Sequence, residues 1–82
     1  MIVGVAIKQG DKVYSLPKPA RHNDVIELIY ERTLQRPVTG TQVFVDSGLN
    51  FMDRIEAASY ALDHKQIEEL RWPPQLFSED LW

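Results

Sequence analysis

Four residues, Gln9-Gly10-Asp11-Lys12, constrain this chain more than any others, because they separate two short runs rich in β-formers. Ile2, Val3, Val5 and Ile7 precede them, and Val13, Tyr14 and Leu16 follow. Gly-Asp between such runs is a turn signal, so a hairpin is predicted over the first sixteen residues. Pro17-Lys18-Pro19 then stops the second strand, since proline fixes φ and removes a ladder donor.

From Asn23 the period of the apolar residues changes. Val25, Ile26, Leu28, Ile29 and Tyr30, with Thr33-Leu34 beyond, have helical spacing. Asn23 or Asp24 is the expected cap, and the helix should end before Pro37. Thr41 to Val45 reads as a third strand, Asp46-Ser47-Gly48 as a turn, and Leu49 to Met52 as a short fourth strand. Asp53, with Glu56 three residues on, forms a capping box that opens a second helix. Ile55, Ala58, Ala61 and Leu62 are its expected buried stripe, and the small residues Ala57, Ala58, Ser59 and Ala61 would let another element approach closely. The helix should fray near His64-Lys65. The predicted fold class is α+β: a small antiparallel sheet in β-β-α-β-β-α order, backed by two helices, with an extended C-terminal tail.

With 82 residues, the chain is expected to be a single domain over 1–82, with the tail beginning at about residue 73. So small a core leaves a thin margin of stability, which makes a homo-oligomer a reasonable expectation. There is no cysteine, so neither disulfides nor thiolate metal sites are available. No apolar run is long enough to span a membrane, and the N-terminus lacks the charged start of a signal peptide, so a cytoplasmic protein is expected. Nine basic and twelve acidic side chains give a net charge of −3. Binding to the DNA backbone needs a basic face, so DNA is not an expected partner, although a small phosphorylated ligand is not excluded.

Enzyme signatures are missing. His22 and His64 lie far apart and outside any metal-ligand spacing, and no nucleophile elbow, glycine-rich phosphate loop or paired metal carboxylates can be read. No catalytic residue, metal or cofactor is assigned, and an enzyme is not expected. Two helix starts are more informative. Arg21-His22 precedes the first helix and Asp53-Arg54 opens the second. Cations at a helix N-terminus are mildly disfavoured, unless an anion lies between them and the free N–H groups. The plainer reading pairs Arg21 and Arg54 with nearby carboxylates and leaves His22 as a turn residue. Phe51, just before the second helix, could stack on a nucleobase or serve as a core or staple residue of that helix. The residues alone favour the structural reading in each case.

The segments KVYSLPKPARHNDVI, NFMDRIEAASYA, KQI and LFSEDLW together resemble a group of small phage proteins that includes the first class of Thoeris anti-defence proteins. Those are sponges that sequester cyclic ADP-ribose signals without cleaving them. The resemblance spans nearly the whole chain; each motif is weak alone, and their order is the specific part. It implies an α+β homo-oligomer with ligand pockets shared between subunits, acting in the host cytoplasm during infection. It also implies that Arg21, His22 and the adjoining Asn23 face phosphate or ribose, that Phe51 stacks on a base and that Arg54 supports the anion or a neighbouring subunit. Gln66 and the tail residues Ser78, Glu79 and Asp80 would add polar contacts. The chain is short for such a sponge, and Leu49-Asn50 stands where a more polar turn is expected. The competing expectation is a phage protein that inhibits a host defence protein by direct contact. In either case the apolar tail, LFSEDLW, is expected to dock on a sister subunit or close over a shared pocket.

Overall fold

The computed structural model describes residues 1–82 as a four-stranded antiparallel sheet carrying two helices. The hairpin forms where Gly10-Asp11 predicts it. Strand β1 (Ile2–Gln9) turns into β2 (Lys12–Pro17) with Gln9 opposite Lys12, leaving a two-residue loop. Gly10 has a φ of 64°, left-handed backbone that glycine enters without steric cost. Helix α1 (His22–Thr33), strands β3 (Thr41–Asp46) and β4 (Phe51–Met52), and helix α2 (Arg54–Asp63) follow, and the strands are ordered β2-β1-β3-β4. The α+β class and the element order are those expected. Strand β4 is shorter than the expected Leu49 to Met52. The Asp46 carboxylate accepts the Gly48 and Asn50 N–H groups at 2.9 and 2.8 Å, which curls the chain into a turn before it can pair.

Strand register divides the side chains between two faces. Val5, Ile7, Phe44 and Met52 point toward the helices and form the main core with Val25, Ile29, Ala57, Ala58 and Ala61. Helix α1 packs over β1 and β2, and α2 over β3 and β4. Ala6, Val43 and Val45 point the other way and form a small separate cluster. Fully burying a Val, Leu, Ile or Phe side chain is worth about 1.5–3 kcal/mol, so the helix-covered face carries most of the stability.

Helix α1 starts two or three residues earlier than an Asn23 or Asp24 cap would place it. Arg21 is the N-cap, and Asp24, at the third helical position, accepts its backbone N–H at 2.8 Å. An acidic residue inside the first turn can serve that N–H as well as a residue before it. At the other end Leu34 adopts left-handed backbone and donates its N–H to Tyr30 O at 2.7 Å, stopping the helix before Pro37. Helix α2 opens as its capping box predicts, with Asp53 accepting from Ile55 and Glu56 N–H at 2.9 and 2.8 Å. Its buried face differs from the expected stripe. Ala57, Ala58 and Ala61 meet the sheet, whereas Ile55 and Leu62 are exposed. Small side chains let the helix sit close to the strands, and that choice of face turns the two larger residues outward.

The tail returns to its own chain rather than reaching outward. Leu76 N–H donates to Arg54 O at 3.0 Å, and the Leu76 side chain is fully buried in the main core. A single 3₁₀ turn, Ser78–Asp80, follows, and Trp82 Nε1 donates to Ala20 O at 2.8 Å. Leu81 and Trp82 also pack against the core. The tail therefore runs from the start of α2 to the start of α1. Pro73-Pro74 does not hold it away from the body, because Trp72 and Gln75 bridge across the prolines and redirect the chain inward.

Candidate functional site

The two helix starts do converge, and what lies between them is the tail. Arg21 donates from Nε to the Trp82 main-chain oxygen at 2.9 Å, and its Nη2 bonds the same oxygen. Arg54 donates from Nη1 to Leu76 O at 2.9 Å, its Nη2 bonds Gln42 Oε1, and its guanidinium lies 4.4 Å from the Phe77 ring centre. At α2 Asp53 accepts the Ile55 and Glu56 N–H groups, and at α1 Asp24 accepts the Arg21 N–H while the His22 N–H points at Ser78 Oγ, 3.4 Å away. Those Glu56 and Ile55 N–H bonds hold the Asp53 carboxyl below its usual range, with the Glu56 N–H contributing most.

His22 is a core residue at 5% exposure, not a turn residue and not one that faces a surface ligand. Its Nε2 lies 2.8 Å from Val43 O, and a carbonyl only accepts, so Nε2 carries the proton and Nδ1 is bare. Nδ1 is buried and has no partner. The ring meets Phe44 edge-on at 4.9 Å. Burial draws its pKa below the ordinary value and Arg54 adds to this, while the Val43 bond and Glu79 oppose. Ser78 is likewise buried, with Oγ 3.4 Å from the His22 backbone N. Asn23 is exposed on the first turn of α1. Gln66 is elsewhere and fully used: Oε1 accepts Ile2 N–H at 2.8 Å and Nε2 donates to Ile2 O at 2.9 Å, tying the segment after α2 to the edge of β1.

Of the expected residues, Arg54 and Phe51 keep an aspect toward solvent that is suited to a ligand. Arg54 forms the wall of a groove of about 420 Å³ between the end of β3 and the start of α2, lined also by Thr41, Gln42, Asp53, Ile55 and Gln75. The two side-chain ion pairs of the molecule, Arg36–Glu27 and Arg71–Asp80, each at 3.8 Å, leave Arg54 without a carboxylate partner. Burial lowers its pKa and Glu79 opposes, and a guanidinium stays charged at neutral pH. Phe51, two residues before Asp53, is neither core nor staple. Its ring is 42% exposed on the helix-free face, with Lys8 Nζ 5.0 Å from its centre. Sequence reasoning missed Lys8, Thr41, Gln42 and Gln75. Lys8 was reachable through the period of two, which places it on the same face as Ala6; the others depend on where α2 and the tail cross β3. No group of three His, Asp or Glu side chains is placed to hold a metal ion, and no helix is long and apolar enough to cross a membrane.

A two-layer α+β protein, with one sheet face covered and a polar groove at the sheet's end, is the class this structure defines. Over residues 1–82 the sequence matches the phage T4 y16D protein family, and the chain belongs to it. No curated protein and no solved structure matches it significantly.

Proposed function

We propose that this phage protein is a sponge: it captures a small anionic nucleotide-type immune signal, such as a cyclic ADP-ribose isomer or a cyclic oligonucleotide, without cleaving it. The observation that carries the reading is Arg54, a partly buried cation with no carboxylate partner in the wall of an open polar groove. A charge so placed favours an anion, and guanidinium groups bind phosphate oxygens well. Phe51 does not line this groove; on the helix-free face it supplies a separate exposed aromatic surface with Lys8 above it, suited to a base and an adjoining phosphate; such stacking is typically worth about 1–3 kcal/mol per base. Sequestration needs retention and no reactive group, which fits a groove whose polar side chains lack a nucleophile–base pair. Arg21, His22, Ser78 and Gln66 act in this reading as scaffold for the tail and the β1 edge rather than as ligand contacts.

Calorimetry with cyclic ADP-ribose isomers and cyclic di- and trinucleotides tests it. Heat with one ligand is expected, reduced at least tenfold in affinity by Gln75→Glu, which sets a carboxylate in the groove with Arg54 and leaves the core untouched. Arg54→Lys should weaken binding less, since it keeps the charge and loses the fork. No heat with any of these ligands sinks the reading.

The second reading, inhibition of a host defence protein by direct contact, is favoured by Trp72. Its half-exposed ring meets Phe77 edge-on at 5.2 Å, and Arg54 stacks over that same Phe77. Trp and Arg are the residue types that most often dominate binding energy at interfaces. Affinity purification from host lysate separates the two: a stoichiometric host protein favours the inhibitor, and a nucleotide released on heating favours the sponge.

A further inference from the structure

We infer that His22 is an acid-sensitive latch: its neutral ring lets residues 77–82 lie against the starts of both helices, and a second proton on that ring releases them. His22 Nδ1 is the one buried side-chain nitrogen in the molecule without a partner. Buried polar groups are normally satisfied, and each exception has a cost. For the neutral ring, that cost is one bond to water. A protonated Nδ1 becomes a cationic donor, buried, with no acceptor within hydrogen-bond distance.

Which element gives way follows from what surrounds the ring. Nε2 is bound to Val43 O and the ring edge meets Phe44, both in a strand paired on each side. Helix α1 is anchored by Val25 and Ile29, which are fully buried. The tail beyond Leu76 is held more lightly. After Leu76 no apolar side chain is fully buried, and Ser78 covers the start of α1 with Oγ 3.4 Å from His22 N, a long contact. Two further ties to the helix start are Trp82 Nε1 to Ala20 O and Arg21 to Trp82 O. Lifting this segment admits water to the ring at the smallest loss of packing.

Two charged groups from other elements act on the ring. Arg54 of α2 repels an imidazolium; Glu79 of the tail attracts one, but it is exposed and the weaker of the two. On α1 itself Asp24 is bound to the Arg21 N–H, and Asp80 of the tail pairs with Arg71. Burial above all makes the latched ring bind its second proton less readily than a ring in water. The released form therefore takes up protons first. Release grows as the pH falls below about 6.5, at no more than tenfold per pH unit, and levels off below the latched ring's own pKa. It also takes Trp82 O from Arg21 and the Phe77 ring from Arg54, two guanidinium groups that no carboxylate pairs.

Hydrogen exchange between pH 7.5 and 5, corrected for its intrinsic rate, reads the latch in the unaltered chain. The Trp82 indole N–H and the amides of Asp80, Leu81 and Trp82 should be less protected than the amides of β1 at every pH. Below pH 6.5 they should lose up to tenfold in protection per unit. His22→Gln, which keeps a donor for Val43 O and cannot be protonated, should remove that dependence. If this variant does not fold, the imidazole ¹⁵N shifts of the unaltered chain decide, since His22 must gain its second proton over the range in which the tail loses protection. Tail protection that ignores pH, a tail as well protected as β1, a slope that survives His22→Gln, or release while His22 is neutral overturns the inference.

Discussion

The two faces of the sheet are built from the same strands and have opposite fates. On one, Val5, Ile7 and Phe44 lie under two helices and the returning tail, and none of them reaches solvent appreciably. On the other, Ala6, Val43 and Val45 are shielded by their strand neighbours, while Val13, Leu49 and Phe51 stay in water. Antiparallel sheets often leave one face wet, but such a face usually alternates to polar side chains. Here it does not. The covered face explains why the chain folds, and on the open face only the peripheral Val13, Leu49 and Phe51 remain in water.

That contrast can be broken most forcefully on the covered side. Phe44→Ala should lower stability by about 3–5 kcal/mol and Leu76→Ala by about 2–5 kcal/mol, measured by urea unfolding, because each empties a fully buried site. A small loss for Leu76→Ala would mean that the tail is a loosely held arm, and the contrast between covered and open would fail at that point.

Acid should also act through the covered side. His22 is held neutral by burial, so its folded pKa lies below its unfolded value, and the unfolded chain binds more protons in between. Stability is then fully present above about pH 6.5 and falls as the pH drops below it, at no more than about 1.4 kcal/mol per pH unit for this one group. His22→Gln should flatten that part of the profile, which thermal unfolding between pH 5 and pH 7.5 would resolve. An unchanged slope would locate the titration elsewhere.

Smaller still is the cap of α2. Asp53→Ala should cost about 1 kcal/mol, since two backbone N–H groups lose their acceptor. At the bottom of the scale, Phe51→Ala should change the stability of the monomer by no more than about 0.5 kcal/mol, as for other exposed positions. A loss as large as that of Phe44→Ala would make Phe51 a core residue after all.

What could be read from the sequence follows the range of the forces involved. The Gly10-Asp11 hairpin, the Asp53–Glu56 capping box and the stop before Pro37 are set by neighbours a few residues apart, and the structure has all three. The convergence of Arg21 and Arg54 was legible as a pair of cations at helix starts. That their common partner is main-chain oxygen of the tail was not, because it depends on contacts 61 and 22 residues away in sequence. The face of α2 differs for a related reason: size alone points to Ile55 and Leu62 as buried residues, whereas closeness to the sheet selects the alanines. The sequence around Phe51 suits either a core residue or a ligand platform, and the register that exposes it follows only once Val45 is known to lie opposite.

Relaxation of side-chain resonances by a soluble paramagnetic gadolinium chelate tests the division between the faces most directly. The account predicts strong relaxation of Val13, Leu49 and Phe51, with Val5, Ile7, Phe44 and Leu76 protected. Protection of Leu49 and Phe51, or relaxation of Leu76 as strong as theirs, would contradict it.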